Sequence, residues 1–194
     1  VAHVYDITYI TVKPTDNLIV IDDSIVRGTT LKKSILKILD RLSPKKIVVV
    51  SSAPQIRYPD CYGIDMARLE DLIAFQAMLA LLKDNDKEPM LETVYKAAKA
   101  EMKKPDVEAT NVVNALYAAF STDQLSKKIA ELVKEDGIRS EVDVIFQDVD
   151  KLHQACPKNL GDWYFTGNYP TPGGNRVANQ AFINFMEGNK ERAY

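Results

Sequence analysis

The chain has 194 residues, 46% hydrophobic and 27% charged, with 25 Lys plus Arg against 27 Asp plus Glu and a net charge of -2. That length suits one domain, or a domain with an appendage, and permits a real core; the near-balance of charge argues against an extended nucleic-acid-binding surface, so no nucleic acid partner is expected. The two cysteines, Cys61 and Cys156, lack Cys-x-x-Cys spacing, no secretory apolar region is present, and no apolar run approaches the ~18 residues of a membrane span, which together fit a reducing cytoplasm and no membrane partner.

The chain starts at Val1 without an initiator Met, in a segment rich in β-branched and aromatic residues from 4 to 12, and reads as the interior of a longer polypeptide. His3, alone near the start, is expected to be incidental. Lys13-Pro14-Thr15-Asp16-Asn17 makes a turn, and Leu18 to Ile21 then supplies four branched apolar residues, the run of a buried strand. It stops at two adjacent carboxylates, Asp22 and Asp23. A small polar loop, Ser24 to Thr30, leads into a helix whose Leu31, Ile35, Ile38, Leu39 and Leu42 fall on one face. Loop amides and the first free N–H groups of a helix converge on an anion. Two acidic side chains at the strand end would repel a phosphate unless they face sugar hydroxyls or a magnesium ion. The parts therefore suit a phosphorylated sugar with metal.

Neither Gly-x-x-x-x-Gly-Lys nor the three spaced glycines of a dinucleotide site occurs here, since Gly28 is the only glycine before Gly63. The wording of residues 22 to 30, Asp-Asp-Ser-Ile-Val-Arg-Gly-Thr-Thr, instead resembles the phosphoribosyl pyrophosphate motif of type I phosphoribosyltransferases, and within them the amidophosphoribosyltransferases. The resemblance implies an α/β fold, a partial type I phosphoribosyltransferase parallel sheet with flanking helices. It implies that Asp22 and Asp23 hold ribose hydroxyls, directly or through Mg2+. Arg27, Gly28, Thr29 and Thr30 would cradle the 5′-phosphate, with Ser24, Ile25 and Val26 shaping the loop.

Ser43-Pro44 stops the motif helix, and Lys46 to Ser52 carries a second buried strand. Ligands of parallel sheets sit beyond the carboxyl ends of the strands, which makes Ser51, Ser52 and Gln55 second-tier site candidates. The resemblance continues through residues 52 to 59 and 62 to 66, and into a helix with Leu72, Ile73 and Ala74, where Leu69, Leu72, Ile73 and Leu79 make a core stripe. Residues 89 to 103 and 106 to 120 read as two helices, and a third opens with a capping box at Ser121 to Gln124 and closes at Gly137. We read 83–137 as a helical insertion, an added layer with a solvated charged surface, between two portions, 1–82 and 138–194, of the phosphoribosyltransferase domain. Val142 to Phe146 is a further strand; His153 in the short helix after it is a packing or surface residue. Phe165 to Thr171 resembles the family again, and a terminal helix runs from Arg176 to Glu187 and ends at Gly188.

Proteins of this family make 5-phosphoribosylamine from phosphoribosyl pyrophosphate and ammonia that an N-terminal glutaminase domain releases from glutamine, the committed step of purine synthesis. The resemblance thus implies phosphoribosyl pyrophosphate and an upstream glutaminase domain of the same polypeptide as partners, and a homo-oligomer is expected. The glutaminase and the first strands of the phosphoribosyltransferase domain are absent from these residues, and Val1 to Thr11 lacks the basic run of the family's lid, so the 194 residues alone are expected to be inactive. A non-catalytic sensor of phosphoribosyl pyrophosphate and a nucleobase-using type I transferase are the alternatives. No iron-sulfur cluster is expected: in register with cluster-bearing members, Asp60, Gly161 and Tyr164 stand at ligand positions, Cys61 is one residue late, and Trp163 and Tyr164 fill the space.

Overall fold

In the computed structural model the described residues are 11–63, 65–159 and 161–193; the strand expected over residues 4 to 12 lies, but for Thr11 and Val12, outside them, as does His3. Three strands, β1 (Asn17–Asp22), β2 (Lys46–Ser51) and β3 (Glu141–Phe146), form a parallel sheet in the order β1-β2-β3. Each is a short run of Val and Ile, which fit a pleated surface through their branched Cβ. In register, Val20, Val49 and Val144 lie on one face, where Val49 and Val144 are buried and Val20 packs against the core.

The opposite face departs from the sequence reading of a buried strand at Leu18 to Ile21. Ile19 and Ile21 are 69% and 74% exposed, and Ile145 on β3 is 52% exposed. Only alternate residues of β1 point at the core, so its continuous apolar run does not report its burial.

Between β1 and β2 the chain takes a π-helical turn, Leu31–Ile35, that continues into α1 (Leu36–Asp40). A π turn inserts a residue and rotates the following face. Leu36 is therefore fully buried beside Leu31, whereas the expected Ile38 and Leu42 are only half-buried. After β2, α2 (Ile73–Asp84) buries Ile73, Ala74, Phe75, Met78 and Leu82, with Leu69 and Leu72 just before it; of the expected stripe only Leu79 is half-buried, packed against the core's edge.

The next helix, α3 (Pro89–Glu101), matches expectation, but residues 106 to 120 do not form one helix. A 3-10 turn, Asp106–Glu108, and a short α4 (Asn114–Tyr117) are separated by a break at Asn111. Asn111 Oδ1 accepts the Val113 N–H at 3.1 Å and its Nδ2 donates to the Gly167 carbonyl at 3.2 Å. A side chain that bonds nearby backbone offers the chain an alternative to helix. α5 (Thr122–Val133) opens on the expected capping box: Ser121 Oγ accepts the Gln124 N–H, and Gln124 Oε1 accepts the Ser121 N–H. It ends at Val133, four residues before Gly137. Its buried Leu125, Ile129 and Val133 pack on α2 and on β3.

Beyond β3 come α6 (Val149–Ala155), α7 (Trp163–Thr166) and α8 (Pro172–Glu187). α8 starts a turn earlier than Arg176 because Thr171 caps it and Pro172 occupies the first turn, and it ends at Gly188 as expected. It packs on α3, and Phe75, Phe182 and Phe185 meet edge to face or tilted, with centroids 4.9–6.4 Å apart. No helix among the described residues is long and apolar enough to cross a membrane.

The end of α1 is tied to the start of β3 by Asp40. Its Oδ1 accepts the Arg139 N–H at 3.0 Å, the Ser140 N–H at 2.9 Å and the Ser140 hydroxyl at 2.8 Å. Burial pushes the Asp40 carboxyl up, but the bonds from Ser140 and Arg139 outweigh it and hold the group below its ordinary value of 3.8. A depressed folded pKa stabilises above the unfolded value and is lost as pH falls through the folded one. Asp40→Ala is therefore expected to cost about 2–3 kcal/mol near neutral pH by leaving the Ser140 and Arg139 N–H groups unpaired, while the Ser140 hydroxyl keeps the Pro44 carbonyl at 3.0 Å. Urea unfolding of both proteins should show that gap, and the gap should narrow as pH falls below about 4.

Candidate functional site

At the carboxyl end of β1 the residues from Asp22 to Thr30 enclose a cavity of about 370 Å3, lined by Asp22, the whole of Ser24 to Thr30, and Leu31 and Ile35 of the following helix. Of the nine residues read from sequence as a site, 22 to 30, only Asp23 is not in the lining. Asp22 Oδ1 accepts the Asp23 N–H at 3.0 Å, and Asp23 Oδ1 accepts the Ser24 N–H at 2.8 Å. Each carboxylate thus spends one oxygen on the turn. Desolvation raises the Asp22 pKa and the Asp23 carboxylate beside it raises it further. A like-charged neighbour disfavours ionisation, which a cation or a row of hydroxyl donors would reverse.

The loop is pinned from behind. Ile25 is buried, and the Val26 carbonyl accepts the Ile73 N–H at 2.8 Å, fixing the loop to the start of α2. Gly28 takes φ +67°, and a Cβ there would stand 3.1 Å from Val133 Cγ1 and 3.4 Å from Ile73 Cγ1. Only glycine fits that conformation and that approach without strain. The Lys32 N–H to Gly28 carbonyl bond at 2.9 Å begins the helical ladder. The N–H groups of Thr29, Thr30 and Leu31 therefore belong to a first turn with no intrahelical acceptor, beside two exposed threonine side chains. This is what an anion needs.

Arg27 turns away from the acidic pair. Its guanidinium makes a two-point contact with Asp65, at 2.8 and 3.3 Å; this bond raises the Arg27 pKa and lowers that of Asp65. Both side chains are well exposed, so the pair contributes little to stability. For Arg27 to reach a phosphate, this pair would have to open.

The second-tier candidates divide. Ser51 Oγ donates to the Ala53 carbonyl at 2.8 Å and Ser52 is exposed. Gln55 is buried and faces inward: its Nε2 donates to the Thr122 carbonyl and Ser126 Oγ, and its Oε1 accepts from Arg57. Arg57 itself was not singled out from sequence, although a lone basic residue inside Pro54 to Pro59 was the available signal. His153 is half-buried; its Nε2 lies 3.3 Å from Asp162 Oδ2 without forming a directed hydrogen bond. Asp60 is buried and accepts the Tyr164 hydroxyl at 2.8 Å and the Tyr62 N–H at 3.1 Å, while Trp163 packs against Tyr62 and Tyr164. Cys61 is half-buried, with burial and the neighbouring Asp60 both raising its thiol pKa, and Cys156 is exposed. Among the described residues no three His, Cys, Asp or Glu side chains come together as a metal-binding group.

A parallel α/β sheet with a glycine-containing loop and an acidic pair at the end of its first strand is consistent with a partial type I phosphoribosyltransferase fold. The chain is similar to curated amidophosphoribosyltransferases: that of Haemophilus influenzae is 49% identical over 59 residues, 30% of this chain and 12% of the relative. That of Escherichia coli K12 is 30% identical over 131 residues, 64% of this chain and 25% of the relative, and that of Schizosaccharomyces pombe is 44% identical over 59 residues, 30% and 11%. The resemblance read from residues 22 to 30 is thereby borne out. The chain matches no more than about a quarter of the length of these relatives. No protein-family model matches it.

The geometry of the loop gives a direct stability test. Gly28→Ala forces a left-handed residue and a close contact with Val133, and is expected to lower stability by about 1–2 kcal/mol. Guanidinium unfolding should show a lower midpoint with an unchanged slope.

Proposed function

We propose that this chain is the phosphoribosyltransferase portion of an amidophosphoribosyltransferase, binding phosphoribosyl pyrophosphate for attack by glutamine-derived ammonia in purine biosynthesis. The observation that carries the reading is the cavity at Asp22 to Thr30, where Asp22 and a helix-start loop share one lining with Asp23 next to it in the turn; the names of the relatives support it. The 5′-phosphate sits on the first-turn amides and hydroxyls of Thr29 and Thr30 and the Gly28 backbone, with Ser24 to Val26 shaping the wall. Asp22 and Asp23 accept hydrogen bonds from the ribose hydroxyls with the oxygens the turn leaves free.

The same two oxygens suit Mg2+, which binds through one or two carboxylates and completes its shell with water and substrate oxygens. The raised Asp22 pKa fits a site built for positive charge. When bound, the metal would neutralise charge on the leaving pyrophosphate. Departure of pyrophosphate leaves an oxocarbenium-like centre, so the work of these residues is to hold the sugar, stabilise charge and exclude water. Ammonia as nucleophile asks for no general base. The upstream glutaminase domain, a homo-oligomeric state and a cytoplasmic location belong to this reading.

We also infer that the protein carries no iron-sulfur cluster. Asp60 and Tyr164, which stand in register with cluster ligands, are bonded to each other, and only two cysteines exist in the chain. The longer protein purified without air is expected to contain iron and sulfide far below one cluster per chain; near-stoichiometric amounts would overturn this.

For the main reading, calorimetric titration of the longer protein with phosphoribosyl pyrophosphate and Mg2+ is expected to show binding that Asp22→Asn with Asp23→Asn weakens at least about tenfold. Unchanged binding would remove the acidic pair from the site. Binding without phosphoribosylamine formation from ammonia would favour the sensor.

A further inference from the structure

On the same rim of the sheet, beyond β2 and β3, lies a second cavity of about 170 Å3 that the first site does not use. Its lining combines Arg57, Thr122, Gln147 and Thr166 with the apolar Pro54, Val149 and Phe165. Asp148 and Asp150 complete the lining on the side of α6.

Arg57 is the unusual member. Its guanidinium is held by neutral groups: Nε and Nη2 donate to Gln55 Oε1 at 3.1 and 2.7 Å, and Nη2 donates to Thr122 Oγ1 at 3.1 Å. The Tyr117 ring faces it at 5.5 Å, and the Tyr117 hydroxyl donates to the Arg57 carbonyl at 2.9 Å. No carboxylate among the described residues lies within ion-pair distance, 4.0 Å, of it. Burial lowers the Arg57 pKa, and the acidic side chains of the lining do not offset it. Asp148 is committed to capping α6, its Oδ1 accepting the Lys151 N–H at 3.0 Å.

A guanidinium withdrawn from water without a counter-charge is costly, and an arriving anion repays that cost. The Nη1 edge, which bonds no acceptor among the described residues, is the edge left for it. An anion alone would meet Asp148 and Asp150 across the cavity. The occupant that suits both sides carries a carboxylate or phosphate at one end and hydrogen-bond donors at the other, with a short apolar stem against Pro54, Val149 and Phe165.

We propose that this cavity is a binding site for a small anion of that kind, with Arg57 as its anchor and Gln55, Thr122 and Tyr117 as positioning residues. It is independent of the reading of residues 22 to 30, from which it takes no residue. Two sources share the chemistry, a small amino acid and a hydroxylated phosphate ester.

The test is an amide and arginine-side-chain NMR titration of the chain with L-serine and with glycerol 3-phosphate, acetate and inorganic phosphate serving as anion-only probes. At least one of the two-ended ligands is expected to shift Arg57 Nε, Thr122 and Gln147 saturably, and more tightly than the matching anion-only probe. Arg57→Gln, checked for fold by circular dichroism, should weaken that binding at least about tenfold. Gln147→Trp, which fills the cavity and leaves Arg57 in place, should do the same without a fall in melting temperature. Shifts confined to Gly28 to Thr30, no saturable shift with any probe, or unaltered binding in folded Arg57→Gln or Gln147→Trp would overturn the proposal.

Discussion

The arrangement depends on two backbone hydrogen bonds that carry strand pairing beyond the carboxyl end of β1: Ser52 N–H to the Asp22 carbonyl at 2.9 Å and Ala53 N–H to the Asp23 carbonyl at 3.0 Å. A parallel pairing brings the carboxyl ends of neighbouring strands to one edge, and these bonds fix how far past that edge the chain stays ordered. The Gln147 N–H bonds the Ser51 carbonyl at 3.1 Å and extends β3 in the same way. The acidic pair and the Arg57 cavity consequently open on one rim, each at the end of a different strand. An acidic pair on a free loop would separate to relieve its repulsion; here the ladder holds the backbone of both residues while their side chains close on the turn.

The immediate partners of Asp22 and of Arg57 leave charge of opposite sign unbalanced, even though Asp148 and Asp150 line the far side of the Arg57 cavity. At Asp22 the neighbouring charge is of the same sign and water is partly excluded, so the carboxylate gains from an added cation or from donors. At Arg57 the neighbours are neutral dipoles and a ring face, which orient the guanidinium without cancelling its charge. By contrast, Arg27, Arg68 and Lys99 all lie in exposed ion pairs, where water and the partner carboxylate already settle the balance. Unbalanced charge, rather than charge, is what sets these two places apart from the other charged groups of the surface.

How much could be read from the sequence follows the range of the physics involved. The strand, acidic pair, loop and helix of residues 17 to 40 were legible because each signal is local: an apolar run, a glycine, hydroxyls, then a helical stripe. The capping box at Ser121 and the stop at Gly188 were legible for the same reason. What was not legible depends on distant partners. Ile19 and Ile21 belong to a composition typical of strands covered on both faces, yet the described helices pack on the other face. The π turn at Leu31–Ile35 shifts the buried face to Leu36 by one residue that no periodicity announces. Asn111 breaks a helix by reaching Gly167, 56 positions away in sequence, and Arg57 acquires its character only when Gln55 and Thr122 meet it.

Residues 83–137, read from sequence as an added layer, bear on the site through α5. The amino end of α5 places Thr122 against Arg57, and its carboxyl end places Val133 against Gly28. The same helix packs on α2, whose Ile73 N–H holds the Val26 carbonyl of the loop after β1. A shift of α5 along its axis would therefore loosen the back of the loop at one end and the guanidinium at the other. Its buried Leu125, Ile129 and Val133 oppose such a shift, because sliding a close-packed apolar stripe past β3 and α2 forfeits its contacts before new ones form. Through α5 these residues thus back both cavities, while the strand ends set the rim in front.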